Sequence, residues 1–422
     1  MARDTADLVV VGAGTIGGWA SYFAAREGLG RVVVLERGLV GQGASSRAAG
    51  IVRAQGGTPE TVQLGRWSIA FYRRQRDEVG TDSGFRELGY LLLATSAADE
   101  REGRARVEMQ RAAGLEVRWV DAREACRLNP TLSPDGHRGG SYCPTDGCID
   151  PPRNVLAYSL ALRAAGVELR ERTPFLGITT RRGRGGALRV TGVETPAGRI
   201  STERVLLTGG PELRAVGRLV GARIPVGGAR HQVCVSEPHP AFEVERLPMV
   251  FDLRAGLYWR LEEGGLLWGM SNPEERPGPA RELDLAYLRR MRRRLARFVP
   301  VTAELGIRKA WAATIDYTPD HLPIIGPVLR EDGRVLEGCF VASAGGHGMM
   351  WGPAVARAAA DLATRGRTDV VDVTNLGMDR FDALGRSPVA DRVALPFPAD
   401  VEDREGRRGP PTPGAPGRSG CG

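Results

Sequence analysis

The chain is almost without lysine. Lys309 is the only one, so the 58 basic residues that outnumber 50 acidic ones and leave a net charge of +8 are nearly all arginine. A nucleic-acid binder gathers such charge in patches interleaved with aromatics. Here the arginines are scattered, with one dense run from Arg289 to Arg294, and aromatics make up 6%. That run shares its segment with Leu285, Leu288, Met291, Leu295 and Phe298 at helical spacing. It therefore reads as the solvated face of a helix, and no nucleic-acid partner is expected. Cysteine is equally thin: six residues, of which only Cys143 and Cys148 are close in sequence. With no second ligand pair, and five histidines spread along the chain, they read as reduced structural thiols and no metal is expected. No apolar run approaches the roughly 20 residues that span a bilayer. The short polar stretch from Met1 to Asp7 leaves no room for a signal peptide, so the expectation is a soluble, cytoplasmic protein. No internal repeat is evident.

The 422 residues are too many for one compact core and read as two interlocked domains, with ordinary apolar and charged fractions of 42% and 26%. Asp7–Val11 reads as a buried strand, Ile16–Glu27 as a helix, and Arg31–Leu35, with its run of valines, as a second buried strand. Together they make a βαβ unit. Further helices fit Val62–Val79, Ala97–Ala113, Arg153–Ala165 and Pro353–Thr364. Strands fit Val167–Leu169, Ala187–Thr195, Arg199–Leu207 and Phe340–Ala342. Gln232–Ser236, Leu257–Leu261 and Leu266–Met270 read as sheet of a second, alternating and aromatic-rich kind. Beyond about Val389 the composition turns to Pro, Gly and charge, and 389–422 is expected to be disordered.

Gly12-Ala13-Gly14-Thr15-Ile16-Gly17 fits GxGxxG between the first strand and helix. Gly12 permits the tight turn, Gly14 lets backbone approach a pyrophosphate, and Gly17 lets helix and strand pack closely. The phosphates then meet free N–H groups and the positive dipole end of a helix. Glu36, after the second strand, is placed to accept from a ribose hydroxyl. A small, hydroxyl-bearing segment follows, Gly41-Gln42-Gly43-Ala44-Ser45-Ser46-Arg47-Ala48-Ala49-Gly50, able to wrap a pyrophosphate.

That segment resembles the G-x-G-x-S-x-x-x-x-G stretch of flavoproteins of the D-amino acid oxidase group. Three more matches follow in order: Asp146-Gly147-Cys148-Ile149-Asp150-Pro151, then Trp311-Ala312 with Thr318-Pro319-Asp320-His321-Leu322-Pro323-Ile324-Ile325-Gly326, then Ser343 to Met350 with its Gly345-Gly346-His347-Gly348 turn. The resemblance covers residues 7 to about 380 and is nearest the sarcosine oxidase, dimethylglycine dehydrogenase and glycine oxidase branch. It implies a mixed α/β fold: a Rossmann-type, glutathione reductase-like FAD domain built discontinuously from 1–90, 140–220 and 306–388, with an antiparallel-sheet substrate domain from 91–139 and 221–305. It implies FAD held by Gly12, Gly14, Gly17, Glu36, Arg37, Ser45, Ser46, Arg47, Phe175, Gly209, Gly345, Gly346, His347, Gly348 and Met349. Arg47 and Ala312 stand where relatives tether the flavin, so the cofactor is expected to be non-covalent.

The activity implied is oxidation of the C–N bond of a secondary or tertiary amine or amino acid by hydride transfer to flavin, giving an imine that hydrolyses. Electrons would pass to O2 or another acceptor, and association with further subunits is open. His347 would sit beside flavin and substrate, Arg53 would grip a substrate carboxylate, and Tyr258 would line the pocket. Three lysine or arginine positions of the family are Met350, Leu267 and Ile315 here. The losses at Met350 and Ile315 leave Arg53 alone to hold a carboxylate, the loss at Leu267, where the family's oxygen-activating lysine falls, leaves a dehydrogenase open, and the apolar trio suggests an amine larger or less charged than sarcosine. Two other readings stand beside this one: an NAD(P)H-dependent flavin monooxygenase, and a non-catalytic flavin-containing subunit of a larger complex.

Overall fold

The computed structural model describes residues 4–382, 385–391, 393, 397 and 401. Their α-helices are α1 (Thr15–Arg26), α2 (Pro59–Val79), α3 (Ala97–Ala112), α4 (Ala122–Leu128), α5 (Pro151–Ala164), α6 (Leu213–Arg218), α7 (Leu285–Leu295) and α8 (Gly352–Arg365). Most begin where the sequence supplies a cap. Thr58 and Ser96 form capping boxes for α2 and α3, and Asp150 accepts from Arg153 N–H ahead of Pro151 at the start of α5. α2 ends on Gly80 with φ +79°, a left-handed turn that glycine takes without strain. α1 differs: Gly14 precedes it with no side chain to cap it, and of its first turn Thr15 N–H is taken by Ser45 Oγ from another loop.

The strands among the described residues form two large sheets and a small one. The first runs Gly177–Arg182, Leu188–Thr195, Val335–Ser343, Val205–Leu207, Leu8–Val11, Val32–Leu35 and Glu168–Arg170. From Val335–Ser343 to Glu168–Arg170 it is parallel. The second runs Ile307–Tyr317, Gly227–Ser236, Gly265–Ser271, Leu257–Glu262, Met249–Asp252, Tyr90–Leu93, Gly140–Cys143 and Arg118–Val120. Helices α1, α5 and α8 cover the parallel sheet around Trp19, which is wholly buried and edge-on to Phe71 and Tyr158. Gly18 is required here, since a Cβ would stand 2.5 Å from the Tyr158 ring.

Three expectations change. The single strand expected over Arg199–Leu207 is two, Gly198–Ser201 in a hairpin and Val205–Leu207 in the parallel sheet. Thr202 breaks it, accepting from Arg204 N–H and donating to Arg204 O. The domain cuts expected at 139/140 and 305/306 do not follow the sheets. Gly140–Cys143 pairs with Tyr90–Leu93, and Ile307–Tyr317 pairs along Gly227–Ser236, so both belong to the second sheet. The third change concerns the expected disordered tail over 389–422. Much of it lies outside the described residues, but Asp391, Val393 and Phe397 are buried against the domains, and Val401 O accepts from Arg214. Apolar side chains set among the polar composition find partners in a groove that the sequence does not reveal. The arginine run lies on α7 as expected, with Tyr287, Leu288, Met291 and Leu295 inward, though Arg294 turns back to pair with buried Asp252 at 2.6 Å.

Asp320 and Arg380 form a two-pronged pair at 2.7 and 3.1 Å with both side chains buried, pinning the chain after α8 to the Thr318–Leu322 turn. Removing one member strands the other charge, so Asp320→Asn is expected to cost about 3–5 kcal/mol. Arg74→Ala, which breaks only the exposed pair with Glu78, should cost no more than about 0.5 kcal/mol. Thermal midpoints of the two variants check this; similar shifts would show that the buried pair does not anchor the segment.

Candidate functional site

The glycine-rich turn is built for close backbone approach. Gly12 has φ +100°, and a Cβ on Gly17 would lie 1.9 Å from Gly12 O. The turn is held from outside: Tyr158 OH donates to Ala13 O at 3.0 Å, Thr15 N–H donates to Ser45 Oγ at 3.0 Å, and Asn154 Nδ2 donates to Thr15 Oγ1 at 3.1 Å. The Glu36 carboxylate accepts from Ala13 N–H at 3.0 Å and Gly38 N–H at 2.9 Å, which fixes an acid beside the uncapped start of α1. Gly12, Gly14, Gly17, Glu36, Ser45 and Gly209 therefore gather at one turn, with free N–H donors and a cradle that side chains would fill. This donor set fits a dinucleotide pyrophosphate and ribose.

Other expected cofactor residues are turned elsewhere. Arg37 pairs with Glu212, Ser46 Oγ donates to Gly41 O, and Arg47 donates to Gln42 O and Gly43 O, closing its own loop. Phe175 packs in the core beneath the parallel sheet with Val9 and Val11. Trp311 Nε1 donates to Arg47 O at 2.8 Å, tying this loop to the second sheet. A cleft of about 1030 Å³ opens beside the loop, walled in part by Ser46, Ala48, Ile149, Leu267, Trp311 and Arg260.

The second turn, between the strand Val335–Ser343 and α8, carries His347. Gly345 and Gly346 have φ of +57° and +91°. Asp316, which the sequence reading missed, accepts from Ser343 Oγ at 2.6 Å, and Ser343 Oγ in turn accepts from the turn's Gly345 N–H at 3.2 Å. Its carboxyl is pushed up by burial. His347 is buried, its Nδ1 lies 3.1 Å from Gly345 O, and its Nε2 has no partner. A carbonyl can only accept, so Nδ1 carries the proton and Nε2 presents a bare lone pair. Burial, and then the charges of Arg53 and His321, hold His347 well below the ordinary histidine range, so it stays neutral. Tyr72 OH donates to Met349 O at 2.8 Å, and α8 begins with no side-chain cap. Gly348 faces open space, so packing alone does not demand a glycine there.

Arg53 is only 2% exposed and forms no ion pair among the described residues. It donates to Gln55 O at 3.0 Å and to Val393 O, and lies 5.2 Å over the Phe251 ring. Val393 also packs into the apolar cluster of Ala49, Ile51, Phe251, Tyr258 and Leu267, with Met350 at its edge. Ile315 lies apart, against Phe397 and Val401. Phe397 stacks on Tyr317 at 4.9 Å and covers Gly346. Tyr258 donates or accepts at 2.6 Å with His231 Nε2, and His231 Nδ1 meets Ser271 Oγ at 2.8 Å. His231 and Ser271 carry no motif; only strand pairing brings them to Tyr258.

The described cysteines are free thiols, no described helix is long and apolar enough to cross a membrane, and no three described His, Cys, Asp or Glu residues group to hold a metal.

A family model described as DAO, FAD dependent oxidoreductase, matches residues 7–362. The chain is 29% identical over 351 residues to mitochondrial sarcosine dehydrogenase of Homo sapiens, covering 81% of this chain and 38% of that protein. It is 28% identical to glycine oxidase of Geobacillus kaustophilus, covering 86% and 94%. The chain thus spans about two-fifths of the mitochondrial relative and nearly all of the bacterial one, and the two names do not point to one compartment. Among solved structures it resembles L-proline dehydrogenase from P. horikoshii, with TM-score 0.80 and 25% identity over 90% of this chain and 98% of that one. Glycine oxidase from Geobacillus kaustophilus follows at TM-score 0.75 and 26% identity, covering 90% and 100%.

Burial lowers His231 to about 4, against an ordinary value near 6.5. Between these values the unfolded chain binds the extra proton, so stability rises with pH and this contribution is lost as pH falls toward 4. His231→Gln is expected to flatten the dependence by up to about 1.4 kcal/mol per pH unit across that window. Urea unfolding at the two ends of the window checks it; an unchanged slope would show that His231 is not held neutral.

Proposed function

The chain belongs to the DAO family of FAD-dependent oxidoreductases, and we propose that it oxidises the C–N bond of a secondary or tertiary amine or amino acid. The observation that carries this reading is the bare, buried Nε2 lone pair of His347, beside Arg53 and at the turn feeding α8. FAD, when bound, takes the hydride equivalent released from the carbon next to nitrogen. Gly12, Gly14, Glu36 and Ser45 would hold its pyrophosphate and ribose, and the Gly345–Met349 turn its ring end.

The chain's own groups do the rest. Where the substrate is a secondary amine or an amino acid, His347 Nε2 accepts a hydrogen bond from its N–H, and because the ring stays neutral it neither repels nor protonates the nitrogen of any substrate. Arg53 and the low-polarity cluster around Phe251, Tyr258 and Leu267 favour the uncharged amine over its ammonium form. Arg53 receives the substrate's carboxylate where one is present. His231 fixes the Tyr258 hydroxyl and so the wall of the pocket. The oxidised product, an imine, then hydrolyses in water.

Within this reading a dehydrogenase is favoured over a fast oxidase. The family's oxygen-activating lysine is Leu267 here, and the single lysine, Lys309, is exposed and pairs with Glu263. An acceptor other than O2 is therefore proposed.

Incubating FAD-loaded protein with secondary amines and an artificial acceptor should yield carbonyl product and the dealkylated amine. His347→Gln is expected to lower the rate by roughly 100-fold or more, as for loss of a group positioned at the reacting nitrogen. The wild-type pH profile should show only the amine's ionisation, with no histidine limb near neutrality. Full activity in the variant would contradict the role given to His347.

A further inference from the structure

Beyond α8 the chain returns to the site. The Asp320–Arg380 pair anchors it, and Asp320 O also accepts from Asp391 N–H at 2.9 Å. Asp391 in turn accepts from Gly57 N–H at 3.1 Å, in the loop that follows Arg53, and from Val393 N–H at 2.7 Å. Val393 is wholly buried. Its side chain packs into the cluster of Phe251, Tyr258 and Leu267, and its carbonyl accepts from Arg53 Nη2. Phe397 stacks on Tyr317 at 4.9 Å and lies 5.6 Å from the His321 ring. It also fills the notch at Gly346, where a Cβ would stand 2.6 Å from its ring. Val401 O accepts from Arg214 at 2.9 Å. Asp391, Val393 and Phe397 thus touch the loop after Arg53, the Arg53 guanidinium, the apolar wall and the glycine turn leading into His347. None of the four tail residues belongs to a helix or strand. Each holds by its own contacts rather than by a ladder, as in segments that open locally at low cost. A backbone carbonyl is also a weaker partner for a guanidinium than a carboxylate, because only one member of the pair is charged.

We propose that the segment carrying Asp391, Val393, Phe397 and Val401 is an internal plug of the substrate site, and that a substrate carboxylate opens it by taking Arg53 from Val393 O. This rests on the reading of Arg53 as the group that receives a carboxylate. In the closed form Val393 stands in for the ligand: its carbonyl takes the guanidinium and its side chain fills the apolar wall. A carboxylate-bearing amine shifts the balance because it binds only the open form, where it gives Arg53 a charged partner. An amine without a carboxylate has no such advantage over the plug. The fraction of open protein then scales the apparent affinity, so the plug sets how much substrate the site needs.

Calorimetric titration of the FAD-loaded protein with acetate tests the plug without turnover. A chain ending at Ala390 should bind acetate roughly 10- to 100-fold more tightly than the full chain, as when a closed form holding about 90–99% of the molecules is removed. Phe397→Ala, which leaves Val393 in place, should bind it more tightly than the full chain but less so than the shortened one. Should the shortened chain fail to fold, Phe397→Ala carries the test. In the full chain, saturating acetate should speed hydrogen exchange at the Asp391 and Val393 amides, which are bonded in the closed form. Acetate binding that is unchanged or weaker in the folded variants, or exchange that acetate leaves unchanged, would overturn the proposal. Tighter acetate binding by the shortened chain, in a protein whose flavin no amine reduces, would retain the plug and overturn the functional reading instead.

Discussion

Arg53 is a guanidinium held inside the protein with no carboxylate bonded to it among the described residues, and much of the site is arranged around that constraint. Its neighbours provide carbonyls and a ring face, while the acids nearby are spent on bracing backbone. Asp146 illustrates the arrangement. It is fully enclosed, burial lifts it to about 6, and its oxygens hold Ala54 N–H and the Gln55 amide. Without that brace the loop carrying Arg53 would lose the backbone geometry that turns the guanidinium inward.

The opposite side of the site follows the same logic with a neutral group. The Gly345–Gly346 turn brings a carbonyl back onto His347 Nδ1, which fixes the tautomer, and burial keeps the ring uncharged. In the proposed reading, the Arg53 cation and the bare imidazole lone pair meet the two ends of an amino acid, acid at one and amine at the other. The dinucleotide turn adds helix N–H groups, so in the same proposed reading one chain offers donors for phosphate, an acceptor for an amine and a cation for a carboxylate.

The parts legible in the sequence are those set by local chemistry. The βαβ unit follows from a valine-rich strand pair and three glycines whose missing Cβ atoms the turn requires, as Gly17 against Gly12 O shows. Capped helices such as α2 and α5 begin where Thr58 and Asp150 predict. His347 and Arg53 stand out in the sequence because they lie in motifs that resemble those of the family. What escaped depends on contacts between distant segments. Ile307–Tyr317, to which the sequence assigned no element, opens with two exposed cations and is a strand through its pairing with Gly227–Ser236. His231 reaches Tyr258 only across paired strands, and Gln110 meets the loop after Arg53 only through helix packing. Val393 and Phe397 sit in a segment whose overall composition signals disorder, because composition averages over the few apolar residues that find a groove.

The account stands or falls on whether an amine can deliver electrons to FAD in this protein. The direct measurement is the visible spectrum of the purified, FAD-loaded protein under anaerobic conditions, followed during titration with N-methyl amino acids and with carboxylate-free secondary and tertiary amines. The account predicts that the flavin band bleaches with an amine, and at lower concentration with the amino acids. A band that no amine bleaches while NADPH does would contradict it, as would a protein that cannot be loaded with FAD at all.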